Sequence, residues 1–437
     1  MSGGTYDGYL RNPEVETLPR DKLRELQLEK LQKTAFHAYA NVPRYKAAWD
    51  AVGALPGDLK SLSDLAKFPF TVKDDLRACY PFGMFAVPRD QVARVHASSG
   101  TTGRPTVVGY AKEDLNAWAE IMARTLSCAG ARPGDIVHNA FGYGLFTGGL
   151  GVHYGAERLG CTVVPVSGGM SERQILLLRD FGARVLCATP SYALSLAEAA
   201  DRAGVDLRKL PVAVGFFGAE PWSEGLRAAL DERWGFKAVD NYGLSEIIGP
   251  GVACECVEAR DGLHGWEDLF LFEIIDPDTG EVRGMEEEGE LVITTLAKWA
   301  QPMIRYRTRD ITRLTDAPCL CGRTHVRLKR VTGRSDDMLI IRGVNVYPSQ
   351  VESVLMGLPG TAPHYQLVIT RDGALDNLTV AVEAAANSSV GDFDEISGNI
   401  RRKLKETIGI TCRAVVLAPG EIPRSEGKAV RVRDDRK

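Results

Sequence analysis

The sequence predicts an α/β protein in two parts: a large N-terminal domain built from βαβ units and closed by a β subdomain, then a small α+β domain. Three observations predict it. Between residues 90 and 245, short β-branched runs ("DIVHNAF", "CTVVPV", "RVLCAT", "VAVGFFG") alternate with helical stretches ("DLNAWAEIMARTLSCAG", "SERQILLLRDFG", "SYALSLAEAADRAG", "SEGLRAALDERWG"). Such alternation builds a largely parallel sheet with functional loops at its strand ends. After residue 250 come "LFLFEIIDPDTGEV" and "GELVITTL", strands joined by a turn containing Pro, Asp and Gly, the mark of an antiparallel β subdomain. From "DDMLIIRGVNVYP" onward, two helical patterns ("PSQVESVLMGL", "DFDEISGNIRRKLKETIG") lie among strands such as "YQLVIT" and "LTVAVEA".

Taken in order, the polar start "MSGGTYDGYLRNPE" has no signal-peptide core. In "RDKLRELQLEKLQKTAFHAYA", Leu23, Leu26 and Leu31 recur at helical spacing between charges, predicting one amphipathic helix over residues 20 to 50, packed on the body. The β subdomain closes the large domain near residue 335, so the expected division is 1–335 and 336–437. No internal repeat or low-complexity tract is visible.

Composition excludes several function classes. With 437 residues, 44% apolar and 25% charged, the chain reads as soluble and globular, and its length calls for two or three units. A net charge of −4 offers no basic field for nucleic acid. No apolar run approaches the roughly 18 to 20 residues of a membrane span, so a cytoplasmic protein is expected. Nine cysteines, an odd number without a secretion signal, argue for reduced thiols.

"HASSGTTGRPTVVGY", residues 96 to 110, packs three glycines and five hydroxyl side chains into one loop. Glycine lets backbone N–H groups approach an anion and hydroxyls add donors, so the loop suits phosphate. Arg104-Pro105-Thr106 follows where an ordinary P-loop has Gly-Lys-Ser/Thr, which disfavours a GTPase or ordinary P-loop ATPase. Alone, the stretch is equally readable as a tight turn.

Downstream stand "FFGAEPWSE", "NYGLSEIIGPG", "IRYRTRDIT", "GRSDDMLIIRGVNVYPSQVE" and "IPRSEGKAVRV". In that order they resemble the core motifs of the adenylate-forming superfamily, from residue 90 nearly to the end. "SSGTTGRPTVVGY", "FGYGLFTGGLG", "GAEPWSE", "RYRTRD" and "GRSDDMLIIRGVNVYPSQ" resemble the phenylacetate-CoA ligase branch. Two departures from the wider superfamily are typical of this branch: Thr106 stands where a lysine often ends the phosphate loop, and Arg309 replaces the glycine before the aspartate.

The resemblance implies roles. Ser98, Ser99, Gly100, Thr101, Thr102 and Gly103 would hold the β and γ phosphates of ATP. Gly218, Ala219 and Glu220 would pack against adenine, with Tyr242 stacking on its other face and Asn241, Gly243 and Ser245 belonging to the same nucleotide motif. Glu246 would offer Mg²⁺ a hard oxygen. Asp310 would accept both ribose hydroxyls, and Arg334 would bind the ribose or phosphate side. Lys428, in "PRSEGK", would bridge the substrate carboxylate and the α-phosphate during adenylation. The small domain is expected to be mobile, swinging about Asp336 so that "LIIRGVNVYP" replaces Lys428 and admits the coenzyme A thiol.

Two further sets of residues are open to two readings. Phe141, Tyr143 and Phe146, between glycines, would line a flat slot for an aryl group, or else belong to the core. Cys256, His264, Cys319 and Cys321 would make a closed Cys₃His zinc site, or else the cysteines are simply buried free thiols. Cys254 is left out of that set, although two residues before Cys256 in an extended strand it shares a face and competes.

The implied activity is that of an acid–thiol ligase: an aryl or arylacetic acid, phenylacetate first, reacts with ATP to give an acyl-adenylate and pyrophosphate, and coenzyme A then displaces AMP. The alternative within the class is a benzoate-type acid (amino- or hydroxybenzoate) or a non-CoA acceptor. A nucleotide-binding or zinc-dependent interaction module without catalysis is the rival from another class. Partners implied are the aryl acid, ATP and coenzyme A, with Mg²⁺ and a homodimeric assembly; nucleic acid and membrane are not expected.

Overall fold

The computed structural model describes residues 8–98, 105–335, 337–341, 344–372, 375–425 and 427–436. The chain opens with α1 (Pro13–Glu16), α2 (Arg20–Asn41), α3 (Pro43–Val52) and α4 (Lys73–Ala78). The single helix expected over 20 to 50 is thus two. Val42 is extended, with φ −113° and ψ 104°, and Pro43 begins α3. Proline lacks an N–H to continue a helix and pushes the residue before it out of the α region.

β1 (Arg94–Ala97) and β2 (Val107–Tyr110) form an antiparallel pair, and α5 (Lys112–Cys128) follows. The alternating region folds as β3 (Ile136–Asn139), α6 (Thr147–Leu159), β4 (Thr162–Val164), α7 (Ser171–Asp180), β5 (Val185–Ala188), α8 (Pro190–Arg202), β6 (Val214–Gly218), α9 (Glu224–Trp234) and β7 (Lys237–Leu244). The order β4-β3-β5-β6-β7 is parallel throughout. β8 (Gly249–Glu255) and β9 (Leu263–Gly265) continue this sheet antiparallel.

The chain then builds a five-stranded antiparallel sheet from β10 (Phe270–Ile275), β11 (Val282–Arg283), β12 (Gly289–Thr295) and β13 (Tyr306–Thr312). It returns with β14 (Leu314–Thr315) and β15 (Arg327–Leu328) to extend the large sheet to nine strands. β16 (Gly333–Arg334) completes the five-stranded sheet beside β13.

β5 and β6 are buried along their whole length, as expected of parallel strands covered on both faces. Alternation then sorts side chains between two cores. Cys187 and Phe216 pack with Trp118 and Met122 of α5, while Leu186 and Phe217 pack with Leu178, Leu196 and Leu230 of α7, α8 and α9. The glycines of α6 permit its approach to α5: a Cβ on Gly155 would sit 2.2 Å from Met122 Cβ, and one on Gly151 2.6 Å from the Trp118 ring.

The C-terminal part starts with the hairpin β17 (Leu339–Ile341) and β18 (Val344–Val346), then α10 (Pro348–Met356), β19 (Thr361–Asp372), β20 (Leu375–Ala384), α11 (Phe393–Ile408), β21 (Arg413–Leu417) and β22 (Val432–Asp434). Its four-stranded sheet runs β21-β20-β19-β22. Leu355, Leu367, Val380 and Ile400 centre a core of its own. Among the described residues no helix is long and apolar enough to cross a membrane.

Candidate active site

The glycine-rich loop joins β1 to β2, its ends linked by the Ser98 N–H donating to the Thr106 carbonyl at 3.0 Å. Ser98 Oγ and Thr106 Oγ1 are buried without a hydrogen-bond partner among the described residues. Two unmet hydroxyls at the loop's mouth suit a polar ligand. Ser99, Gly100, Thr101, Thr102 and Gly103 lie outside the described residues, as does Asp336.

β6 and β7 bring the second and third motifs side by side. Gly218 is required here, because a Cβ would lie 2.3 Å from the Asn241 carbonyl oxygen. Ala219 turns the chain with φ +74°, sending Glu220 toward the small domain. Asn241 Oδ1 accepts from the Gly251 N–H, and a Cβ on Gly243 would meet the Gly249 carbonyl oxygen at 2.0 Å. Ser245 Oγ lies 3.2 Å from Thr147 Oγ1, at the start of α6. Glu246, 5% exposed, follows.

Register on the five-stranded sheet sets Asp310 opposite Arg334, with the guanidinium 3.5 Å from the carboxylate. Tyr242 donates its hydroxyl to Asp310 Oδ2 at 2.6 Å, and burial, then the Asp310 charge, raises its pKa well above the usual tyrosine value. Arg309 has φ +69°, a left-handed backbone that the glycine expected there adopts freely. Its N–H donates to Glu290 Oε1 and its guanidinium lies 3.6 Å from Glu290 Oε2, which help to hold that conformation.

Lys428 arrives from the small domain. Thr189 Oγ1 and Ser191 Oγ donate to the Gly427 carbonyl at 3.0 and 3.2 Å. Glu220 accepts from the Ser191 N–H at 2.8 Å and the Ala429 N–H at 2.9 Å, so one carboxylate spans the domain junction. Glu198 on α8 adds contacts at 2.8 Å to His364 and to Arg424, and Arg424 also pairs with buried Glu383. Lys428 remains exposed to solvent. Its pKa nevertheless falls below the ordinary lysine value, first through loss of water around it, with Arg334 and Lys73 lowering it further against the opposing pull of Glu220 and Glu246.

Two lysines escaped the sequence reading. Lys73, at the start of α4, lies 3.3 Å from Glu246 Oε1. It is brought there by Thr71, whose N–H donates to the Arg305 carbonyl while its own carbonyl accepts from Arg307, tying this segment to the strand that carries Asp310. Thr106, in place of the loop's usual lysine, was the one sequence signal that a cation had to come from elsewhere. Lys298, 2% exposed, donates to the Glu246 carbonyl at 3.0 Å, and burial pulls its pKa down to about 8.

The three rings proposed for the acid slot do not share one environment. Phe141 is buried in the larger core. Tyr143 is half-buried, its hydroxyl accepting from Asn139 Nδ2 at 2.8 Å. Phe146 is 51% exposed at the cap of α6. Tyr143 and Phe146 are therefore the rings of this set with surface to offer a ligand.

Cys256, His264, Cys319 and Cys321 do converge, their ligand atoms all within 4.8 Å of one another. Sulfur separations are 3.6 Å (Cys256–Cys319) and 3.5 Å (Cys319–Cys321), with Cys321 Sγ 3.3 Å from His264 Nε2. Tetrahedral ligands about 2.3 Å from zinc stand about 3.8 Å apart, close to these values. Sharing of hydrogen bonds lowers the pKa of Cys319 and Cys321 and raises that of Cys256. Cys254 stays out of the group, its thiol donating to the Glu255 carbonyl.

Known proteins bear on this geometry. Residues 37–297 match the family model of the AMP-binding enzymes, and residues 343–436 that of the AMP-binding enzyme C-terminal domain. The chain is 54% identical to a phenylacetate-coenzyme A ligase of Thermus thermophilus, over 97% of this chain and 99% of that one. It is 51% identical to that of Escherichia coli, over 96% of each. Among solved structures it superposes on 2-hydroxyisobutyryl-CoA ligase in the postadenylation state with a TM-score of 0.92 and 31% identity, over 99% of this chain and 95% of the other. On the same ligase in the thioesterification state, covering 97% and 92%, the TM-score is 0.73 at 33% identity. Sequence identity above one half along nearly the whole chain, on a fold shared with an adenylate-forming ligase, means that this chain belongs to the phenylacetate-CoA ligase family of AMP-binding enzymes.

Proposed function

We propose that the chain activates phenylacetic acid with ATP, releasing pyrophosphate, and passes the acyl group from the adenylate to coenzyme A, releasing AMP. The observation that carries this reading is the docking of the Lys428 loop on Thr189, Ser191 and Glu220, which holds an ammonium among Arg334, Glu246 and Lys73. Adenylation needs positive charge where the carboxylate attacks the α-phosphate and where charge moves onto the leaving pyrophosphate. Lys428 and Lys73, both charged groups near Glu246, supply it, Lys73 doing the work of the lysine absent from the phosphate loop. Asp310 accepts the two ribose hydroxyls, and Arg334 holds its carboxylate in place.

Glu246, a buried carboxylate, would offer Mg²⁺ a hard oxygen, and the metal would supply neutralisation of phosphate charge. The higher TM-score against the postadenylation state supports an orientation of the small domain that serves the first half-reaction. Rotation at Asp336 then takes Lys428 away and presents "LIIRGVNVYP" to the acyl-adenylate. A cytoplasmic homodimer completes the reading, checked by a solution mass of about twice one chain.

The test is a panel of aryl acids with ATP, Mg²⁺ and coenzyme A, read by product mass. Phenylacetyl-CoA as the preferred product is expected. Preference for benzoate-type acids, or adenylate that never becomes a thioester, would overturn the substrate or the acceptor respectively.

Zinc is the second part of the proposal, supported by the convergence of Cys256, His264, Cys319 and Cys321. Protein purified without chelator is expected to hold about one zinc per chain, and chelation to lower the melting temperature, because binding energy at a closed site is folding energy. Elemental analysis finding none would exclude the site.

A further inference from the structure

Away from the residues assigned above, a groove of about 430 Å³ opens between α5 and α6 beside β1. Leu115, Trp118 and Leu150, buried or half-buried, give it an apolar floor, and Arg94, Lys112 and Arg158 contribute three cations to its lining against the one carboxylate of Glu157. Tyr154 stands in the wall, 40% exposed, with the Arg94 guanidinium 4.6 Å from its ring centroid. Arg94 Nη1 is buried behind the groove's lining and has no hydrogen-bond partner among the described residues. Of the lining groups, Arg158 is paired with Glu120 at 3.8 Å and Glu157 with His153 at 3.2 Å, while no carboxylate lies within ion-pair distance of Arg94 or Lys112 among the described residues.

A guanidinium and an ammonium with no carboxylate paired to either among the described residues suit an anion. An apolar floor and an exposed ring ask for a flat organic group, and the volume falls in the range of small-molecule sites. A bare inorganic anion leaves the floor unused, and a single-ring acid leaves most of the space empty. We propose that this groove binds an adenine nucleotide, its base against Tyr154 and the apolar floor and its phosphate on Arg94 and Lys112. Two sources carry that chemistry: the 3′-phosphorylated ADP end of coenzyme A, and a free adenine nucleotide acting away from the reacting atoms. The first source rests on the proposed acceptor; the second does not. β1, which carries Arg94, leads into the glycine-rich loop, and α6, which carries Tyr154, meets Ser245 through its first residue.

Adenosine 3′,5′-bisphosphate is the probe, titrated calorimetrically into the full chain with the ATP site filled by a non-hydrolysable ATP analogue. Lys112→Ala and Tyr154→Ala alter exposed side chains, and pyrophosphate exchange with phenylacetate reports whether each variant keeps an intact first half-reaction. Each variant is expected to weaken probe binding about tenfold or more, the loss of one charged or stacking contact, with exchange near the native rate. If the source is coenzyme A, the KM for coenzyme A rises in step while that for dephospho-coenzyme A moves little in Lys112→Ala. If the source is a free nucleotide, probe binding weakens with the coenzyme A KM unmoved. No binding of the probe to the native chain, or equal binding to native and variants, overturns the proposal. Absence of phenylacetate-dependent exchange in the native chain overturns the proposed function instead and leaves the calorimetric result to decide the groove.

Discussion

Lys428→Ala is expected to lower the rate of pyrophosphate release by about 10²- to 10³-fold, the cost of removing one preorganised group that stabilises charge in a transition state. Thioester formation from supplied acyl-adenylate should survive, because Lys428 is needed only while charge moves onto the leaving group. The loop itself should stay docked, since its hydrogen bonds to Thr189, Ser191 and Glu220 run through the backbone of Gly427 and Ala429. The surroundings add a pH signature. A lysine whose pKa is lowered loses its charge below the ordinary lysine range, so adenylation should fall on the alkaline side as pH rises through that lowered value. Lys428→Arg, whose guanidinium stays charged, should move that limb to higher pH even if its maximal rate is poor. Near-native pyrophosphate release by Lys428→Ala would remove the lysine from the reaction.

Asp310→Ala is expected to reduce kcat/KM for ATP by about 10² or more, from two lost hydrogen bonds between a carboxylate and the ribose hydroxyls at roughly 1.5 kcal/mol or more each. The alanine also strips Tyr242 of its 2.6 Å acceptor and leaves Arg334 without its partner on β13, so some loss of melting temperature accompanies it. Tyr242→Phe separates the two effects, removing the hydroxyl but keeping the carboxylate; it should cost far less in ATP use than Asp310→Ala. If 2′-deoxy-ATP and ATP are discriminated equally by native enzyme and Asp310→Ala, the ribose role is wrong.

The parallel strands were legible because each covered strand is a short β-branched run bounded by loop residues, and the quoted runs became β3, β4, β5 and β6. α6 was not legible. Glycine weakens a helix taken alone, and only the 2.2 Å between a would-be Gly155 Cβ and Met122 explains why this helix needs one there. Pro43 signals the break at Val42, whereas the leucine spacing on its N-terminal side predicts that the helix continues. At the site, Asp310, Glu246 and Lys428 lay in ordered motifs, whereas Lys73 lay in no motif at all, and its partner Glu246 is far away along the chain.

The sequence by itself determined the chemistry on offer, the order of the motifs and the elements that carry them, because periodicity, turn residues and backbone sterics act over a few neighbouring residues. Tertiary structure alone decided which of those groups meet. It set Lys73 against Glu246 through Thr71 and β13, closed Cys256, His264, Cys319 and Cys321 into one cluster, and sank Phe141 into the core while leaving Phe146 exposed. It also docked the Lys428 loop through a backbone contact to Glu220 that no side-chain pattern announces. Contacts of this kind depend on how sheets and domains pack across hundreds of residues of chain, and a local pattern carries no measure of that distance.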